Sequence, residues 1–592
     1  MTAKRVLGAV LALCTFSTGA LGFEIRFQTP DTGDSLRDAL YASSLTAAEK
    51  EEGTNDPQDI LAAAQADYAR LLGVLYDRGR YSGVISILLD GREAAAIPPL
   101  SAPRAVQEVT IRVEPGPVFR FGRAEIGPLA PGTEIPEEYR RGEVAGAAAI
   151  RAAAEAAVEA WRSNGNAKAR VSDERIVARH AQTQLDASLR LTPGPVLSFG
   201  PVRVRGNDDT KTARILKIAG LEEGRRYDPE EIDRAVTRLR RTGTFSSVTV
   251  EEAEAIGPGN TLPLTIGVVE QTPRRFGFGA EYGSVEGGRL SAFWLHRNFL
   301  GGAERFRVDG EVSGITGETG GIDYSLGVRY ERPATPKADI DLFAAFSFES
   351  LDEPDFTSDT TEFTLGFTRY ATDELTVEAG LGYLYSEIVD DFGPETFSLI
   401  TLPLAAEYDA RDVPLNPTEG LYADLTVTPF LGLAGTTDGA QMTFDGRGYR
   451  ALGGTIFAGR LQLGALAGPS LEDSPAIYRF YSGGGGTVRG QDYQSLGVDT
   501  GGAFTGGRSF VGLSAEARVN AGENFQVVPF VDWGYIGEES FADFSGESHA
   551  GAGLGVRYVT GIGPIRLDVA TPIAGDTESA NFQIYVGIGQ AF

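Results

Sequence analysis

Two periodicities of apolar and polar residues divide this chain. Up to about residue 272, short alternating runs are interleaved with longer runs of helical composition. Val109-Thr110-Ile111-Arg112-Val113, Ala187-Ser188-Leu189-Arg190-Leu191 and Leu264-Thr265-Ile266-Gly267-Val268 alternate with period two, the mark of half-buried strands. Ile60 to Tyr76, Ala145 to Trp161 and Asp228 to Leu239 are rich in Ala, Leu, Glu and Arg and predict helices. Asp228-Pro229-Glu230-Glu231 supplies an N-cap, a first-turn proline and early acids. Each helix runs out near a glycine turn (Gly79, Gly165, Gly243) that leads into a strand. From about residue 273 the helical runs vanish. Short alternating strands follow, such as Leu342 to Phe348, Glu362 to Thr368, Leu421 to Thr428 and Ile565 to Val569, with Gly, Asp, Glu, Pro and Thr between them.

A repeat orders the first part. Pro115-Gly116-Pro117-Val118 with Phe121-Gly122 recurs, 78 residues on, as Pro193-Gly194-Pro195-Val196 with Phe199-Gly200. A degenerate copy follows at Pro273 with Phe276-Gly277. Residues 23–117, 118–196 and 197–272 therefore read as three tandem α+β modules, each close to strand, helix, helix, strand, strand. Each is near the lower size for a self-sufficient core.

In the second part, Ile565, Leu567 and Val569 point one way and Arg566 and Asp568 the other, which suits lipid on one face and a lumen on the other. A soluble sandwich or propeller shares this texture. The final segment favours a barrel. Phe582, Ile584, Val586, Ile588 and Phe592 share one parity, with Gly587, Gly589 and Ala591 on the other. A last strand left as a bare edge is a liability, whereas in a barrel it closes on the first. At about 10 residues per tilted strand plus turns, residues 273–592 predict a transmembrane antiparallel β-barrel of about 16 strands.

Composition narrows the function classes. Lys4 and Arg5, the apolar run Val6 to Leu21 and the small residues around Ala20-Leu21-Gly22 read as a signal peptide over 1–22, with Phe23 as the mature start. The run is short for the alternative, a membrane anchor. The single cysteine, Cys14, lies inside it, so the mature chain is expected to have no disulfide and no thiolate metal site. No later stretch reaches 18 uncharged apolar residues, which leaves a barrel open. Of the net charge of −28, residues 273–592 carry −24, from 44 acidic and 20 basic side chains. Such an acidic surface argues against nucleic acid as a partner. No Gly-x-Ser-x-Gly elbow and no phosphate-binding lysine loop occur, and His180, His296 and His549 stand in unrelated contexts. No catalytic residue, metal or cofactor is expected, and the chain does not read as an enzyme.

One segment stands out, Tyr478-Arg479-Phe480-Tyr481-Ser482-Gly483-Gly484-Gly485-Gly486-Thr487-Val488-Arg489-Gly490. Four consecutive glycines are conformationally permissive, and a cation follows in a cation-poor region. Arg489 is either a solvated loop charge or half of a sheltered pair. Asp532, an acid in the apolar strand Phe530-Val531-Asp532-Trp533-Gly534, is the candidate partner.

These segments resemble the Omp85 (bacterial surface antigen) family. Phe480-Tyr481-Ser482-Gly483-Gly484 with Val488-Arg489-Gly490 is similar to its sixth-loop signature, and Phe530-Val531-Asp532-Trp533-Gly534 to its F-x-D-x-G strand. Asn298 to Gly302, Asp409-Ala410-Arg411-Asp412 with Pro417 and Gly420, and Gly563 to Asp568 agree with it, and the tandem modules resemble its POTRA domains. Gln491 departs from the pattern, standing where the family commonly has an aromatic ring, and Gln590 is polar where the C-terminal signal usually alternates apolar.

The resemblance implies an outer-membrane barrel with POTRA 1 at 23–117, POTRA 2 at 118–196 and POTRA 3 at 197–272 in the periplasm. It implies a lumen latch of Val488, Arg489, Gly490 and Asp532. A lateral seam would involve Phe276, Gly277, Gly279, Gly587 and Gly589, and a C-terminal insertion signal Ile584, Val586, Ile588 and Phe592. The function implied is insertion or secretion of client β-barrel proteins through the seam. The alternative is a dedicated secretion pore exporting a partner through the lumen. Three modules before the barrel look most like the TamA subfamily, which implies outer-membrane or secreted clients, membrane lipid and an inner-membrane TamB-like partner at POTRA 1.

Overall fold

The computed structural model describes residues 23–29, 34–54, 56–317, 320–522, 524–561, 563–575 and 582–588. The segment 1–22, Gly589, Gln590 and Phe592 lie outside the described residues.

In the first module the sheet runs Glu24–Gln28, Glu108–Glu114, Val84–Leu89, Arg92–Glu93, with the first pair parallel. Helix Pro57–Asp77 starts where Asp56 accepts from the Gln58 N–H and a proline fills the first turn. Its Leu61, Ala64, Leu71 and Leu75 pack on Val109, Ile111 and Val113 of the sheet. The buried Asp67 carboxylate is satisfied by Ser44 Oγ (2.6 Å) and the N–H groups of Leu45 (2.7 Å) and Thr46 (3.1 Å).

The second module has the sheet order Arg120–Gly127, Gln184–Thr192, Arg170–Arg179 and one helix, Ala147–Ser163. The expected first helix is absent among the described residues. The segment between Gly127 and Ala147 carries Pro128, Pro131-Gly132 and Pro136, which cannot sustain one. Tyr139 fills the space instead, its hydroxyl donating to the carbonyls of Glu125 (3.0 Å) and Ala187 (3.3 Å). The expected pair of helices holds in the third module, as Thr212–Ala219 and Pro229–Arg241 on the sheet Ser198–Arg205, Thr261–Glu270, Phe245–Glu252.

The third module seats on turns of the barrel. Ala303 and Ala334, from the turns after the second and fourth barrel strands, join one core with Ile215, Ile218, Ala219 and Leu239. Asp339 accepts from Arg238 (2.6 Å) and Arg241 (3.1 Å), and Arg241 lies over the Tyr370 ring. The Asn298–Gly302 motif is this seat: Asn298 donates to Thr210 Oγ1 (3.0 Å), and Gly301, at φ +80°, accepts from the Lys211 N–H (2.9 Å).

The remaining strands, apart from the short pair Val498–Asp499 and Phe504–Thr505, close into a barrel, from Arg274–Gly283 to Gln583–Ile588. Gly393–Thr401 and Leu404–Asp409 share one position, both lying between Leu375–Asp390 and Gly420–Gly432. Pro403 interrupts that strand because it has no N–H to donate. The barrel therefore has sixteen positions. On the sixth strand, Phe356–Tyr370, Ser358, Thr360, Thr364 and Thr368 are buried while Phe363, Leu365 and Phe367 are exposed. A polar interior with an apolar exterior is the inverse of a soluble sheet and fits a lumen and lipid. The soluble sandwich or propeller is thereby excluded.

Candidate functional site

The eleventh barrel strand, Thr455–Ala467, and the twelfth, Ser509–Asn520, run to the barrel end remote from the third module and are joined by residues 468–508. This loop turns inward. Phe480 and Gly507 exchange backbone hydrogen bonds (2.8 Å each), as do Ser482 and Leu496. Buried Arg479 fixes the entry, donating to Asp390 (2.8 Å) and Thr505 Oγ1 (2.7 Å). The glycine run and Arg489 lie beyond this anchor.

The structure brings Arg489 and Asp532 together. Arg489 Nε and Nη2 donate to the two oxygens of Asp532 at 2.7 and 3.0 Å, and its backbone N–H adds a third bond at 3.2 Å. The bidentate geometry matches guanidinium to carboxylate. Arg489 is 3% exposed and Asp532 1%, so the solvated-charge alternative falls. The guanidinium also lies 3.6 Å from the Phe530 ring centroid.

Sequence reasoning missed the rest of this cluster. Arg489 Nη1 donates to Glu516 (2.8 Å) and Asp568 (3.3 Å). Arg518 pairs with Glu516 at 3.0 Å, and Arg557 with Asp568. Three arginines thus face three carboxylates, all buried, with zero formal net charge. Asp568 stood inside a quoted motif. Glu516, Arg518 and Arg557 carried only the signal of charge at alternate positions of apolar strands.

Shape completes the fit. Val488 is fully buried beside Gly534, where a Cβ would lie 2.9 Å from its Cγ2. Gly490 adopts φ +90° against the Thr571 backbone. Gln491 does not loosen the loop: its Nε2 donates to the carbonyls of Ala550 (2.7 Å) and Ala574 (2.8 Å), tying two adjacent strands. An aromatic ring would lack these two donors.

The closing strands show an uneven seam. The first strand pairs with the second along its length, Arg274 opposite His296 through Gly283 opposite Gly287. Among the described residues it meets the last strand only where Tyr282 faces Val586 and Gly283 faces Tyr585. Phe276, Gly277 and Gly279 lie below that contact, toward the third module, and a Cβ on Gly277 would strike the Phe293 ring of the second strand. Gly587 has Glu281, rather than Gly279, as its neighbour across the seam. Ile584, Val586 and Ile588 face outward and are exposed. Gly589 and Phe592 lie outside the described residues.

Two turn carboxylates also hold the loop. Glu286 accepts from the Gly485 N–H (2.5 Å), and Glu353 from the Tyr493 hydroxyl (3.1 Å). Burial pushes both up, Glu353 to about 7 with help from Asp323 and Asp355 and against Tyr493 and Arg289. A released loop returns them toward the ordinary 4.5, so the docked state binds more protons. Docking is therefore strongest below that value and weakens as the pH rises to about 7. Proteolysis of the loop is expected to be slower at acidic than at alkaline pH, and Glu353→Gln to flatten the profile; equal rates across the range would contradict this.

Comparison with known proteins bears on the barrel and the third module. The model described as the Omp85 superfamily domain matches residues 298–592, and the POTRA model, a surface antigen variable number repeat, matches 197–271. The outer membrane protein assembly factor BamA of Nitratidesulfovibrio vulgaris is 24% identical over 415 residues, 65% of this chain and 50% of that protein. The chain thus spans about half the length of that curated relative. Among solved structures, BamA from Haemophilus ducreyi lacking POTRA domains 1–3 superposes with a TM-score of 0.61 at 18% identity, covering 79% of this chain and 100% of that one. CdiB from Acinetobacter baumannii gives 0.51 at 14% identity, covering 80% and 90%. Both likenesses are of fold.

Proposed function

Because the chain belongs to the Omp85 superfamily, we propose that it assembles client β-barrel proteins, receiving their strands at the seam between its first and last barrel strands. The barrel lies in the outer membrane with the POTRA modules on the periplasmic side. The observation that carries the reading is the short closure among the described residues, Tyr282–Val586 and Gly283–Tyr585, at the extracellular end of a first strand that pairs along its whole length on its other side. Parting of this closure would offer the first strand's backbone N–H and C=O groups to an incoming strand, which pairs by β-augmentation. Inside a membrane such groups must be satisfied, so exchange of one strand for another avoids a large desolvation cost. Energy comes from client folding, and no residue is assigned a catalytic role. The name of the Nitratidesulfovibrio relative, an assembly factor, supports this reading.

Division of residues 23–272 into three POTRA modules at 117/118 and 196/197 belongs to the same proposal. Three modules before a sixteen-position barrel favour a TamA-like role, with a TamB-like inner-membrane partner at POTRA 1 and outer-membrane or secreted clients. Val488, Arg489, Gly490 and Asp532 act as the latch that holds the sixth loop in the lumen.

A disulfide between Tyr282→Cys and Val586→Cys tests the route. Locking the seam is expected to stop insertion of a client barrel into vesicles, and reductant to restore it. Undiminished insertion with the lock closed would sink the lateral route and favour export through the lumen past a displaced loop.

A further inference from the structure

We infer that the glycine run of the sixth loop is an interior clasp across the closing seam, with Glu286 on one side and Tyr585 on the other as its fixed points. This rests on the proposed seam route and adds what holds the seam shut.

Glu286 sits in the hairpin joining the first two strands, and its Oε1 accepts from the Gly485 N–H at 2.5 Å. On the far side, Tyr585 of the last strand is buried, and its hydroxyl accepts from the Gly490 N–H at 3.2 Å and donates to Gln583. Gln583 Nε2 in turn donates to Asp492 at 2.6 Å. Among the described residues of the last strand, both lumen-facing side chains, Gln583 and Tyr585, therefore hold the loop, and the loop holds the first hairpin. The clasp lies level with the wall's own closure, where the Ser284 N–H donates to Ile584 O (3.0 Å) and the Ile584 N–H to Ser284 Oγ (3.0 Å).

The clasp also explains which residues the run requires. A Cβ on Gly484 would stand 2.3 Å from Glu286 Oε1, and one on Gly485 3.1 Å from the Tyr585 ring. Only a backbone without side chains passes between the two fixed points. Seam opening and loop docking are then linked, so that each favours the matching state of the other. A cavity of about 350 Å³ beside the clasp, lined by Glu281, Arg289, Arg460 and Arg566 among others, gives its polar groups somewhere to go when it parts.

Native-state hydrogen exchange of the full chain in lipid nanodiscs reads the clasp directly, because local opening sets the exchange rate. Loss of one hydrogen bond in Glu286→Ala is expected to speed exchange of the 282–284 and 584–586 amides about fivefold. The pairing of Gly420–Gly432 with Gly439–Leu452 should stay at its wild-type rate. Gly485→Val should act in the same direction, and Glu286→Gln, which keeps an acceptor oxygen, should stay near wild type. Wild-type exchange at the seam in both Glu286→Ala and Gly485→Val would overturn the clasp. Should Glu286→Ala not fold, the contrast between Glu286→Gln and Gly485→Val decides. Faster seam exchange in a protein whose insertion ignores the disulfide lock would retain the clasp and remove the seam route. Unchanged exchange with lock-sensitive insertion would do the reverse.

Discussion

Arg489→Ala is expected to release the sixth loop from the lumen while the barrel still closes. The substitution removes four side-chain hydrogen bonds and leaves Asp532 without a cation. Breaking a buried ion pair from one side costs about 3–5 kcal/mol. That shifts the balance of docked and undocked loop by roughly two to three and a half powers of ten. Arg518 and Arg557 stay within the cluster and can re-pair with Glu516 and Asp568, which sets the loss toward the lower end. Arg489→Lys keeps the charge but cannot reproduce the fork, and should fall between the two. The double variant Arg489→Met/Asp532→Leu restores zero net charge and should recover part of the loop's protection. Limited proteolysis between residues 468 and 508 measures this, with client insertion followed in parallel. Wild-type resistance in Arg489→Ala would show that the latch is not what holds the loop.

The partners of this latch were legible in the sequence to different degrees, for physical reasons. Arg489 and Asp532 stand out because each is a charge in surroundings that lack its kind, which makes a sheltered pair one of two readings of Arg489, the other being a solvated loop charge. The strands were legible because lipid and lumen impose opposite polarities on alternate residues, as in Ser358 to Thr368. Glu516, Arg518 and Arg557 obey the same alternation, yet their meeting depends on the stagger of neighbouring strands, which no local pattern encodes. Glu286 is the extreme case, bonded to a residue 199 positions away. In the second module the sequence carries two opposed signals: Pro131-Gly132 and Pro136 oppose the helix that repeat symmetry predicts. Gln491 departs from the family pattern, and its two hydrogen bonds are a different way of fixing the loop.

Gly551→Ala should expel the loop without touching a single charge. Gly551 lies on the fourteenth strand, Glu547–Tyr558, and a Cβ there would stand 2.0 Å from the Arg489 carbonyl oxygen. The obstacle is loop backbone that the bidentate pair holds in place, so neither partner can yield by changing a rotamer. Overpacking of this kind costs about 1–3 kcal/mol even where side chains can adjust. Gly486→Ala is the informative contrast. It lies in the conspicuous glycine run, has no positive φ, and its Cβ would meet nothing within 4 Å. Its carbonyl still accepts from Arg460 (3.1 Å), a bond alanine retains. Proteolysis of the loop should therefore be fast in Gly551→Ala and near wild type in Gly486→Ala. The reverse order would mean that flexibility of the run, rather than the space around Arg489, governs docking. The expected order separates two uses of glycine that look alike in sequence, one that admits a neighbouring chain and one that no contact requires.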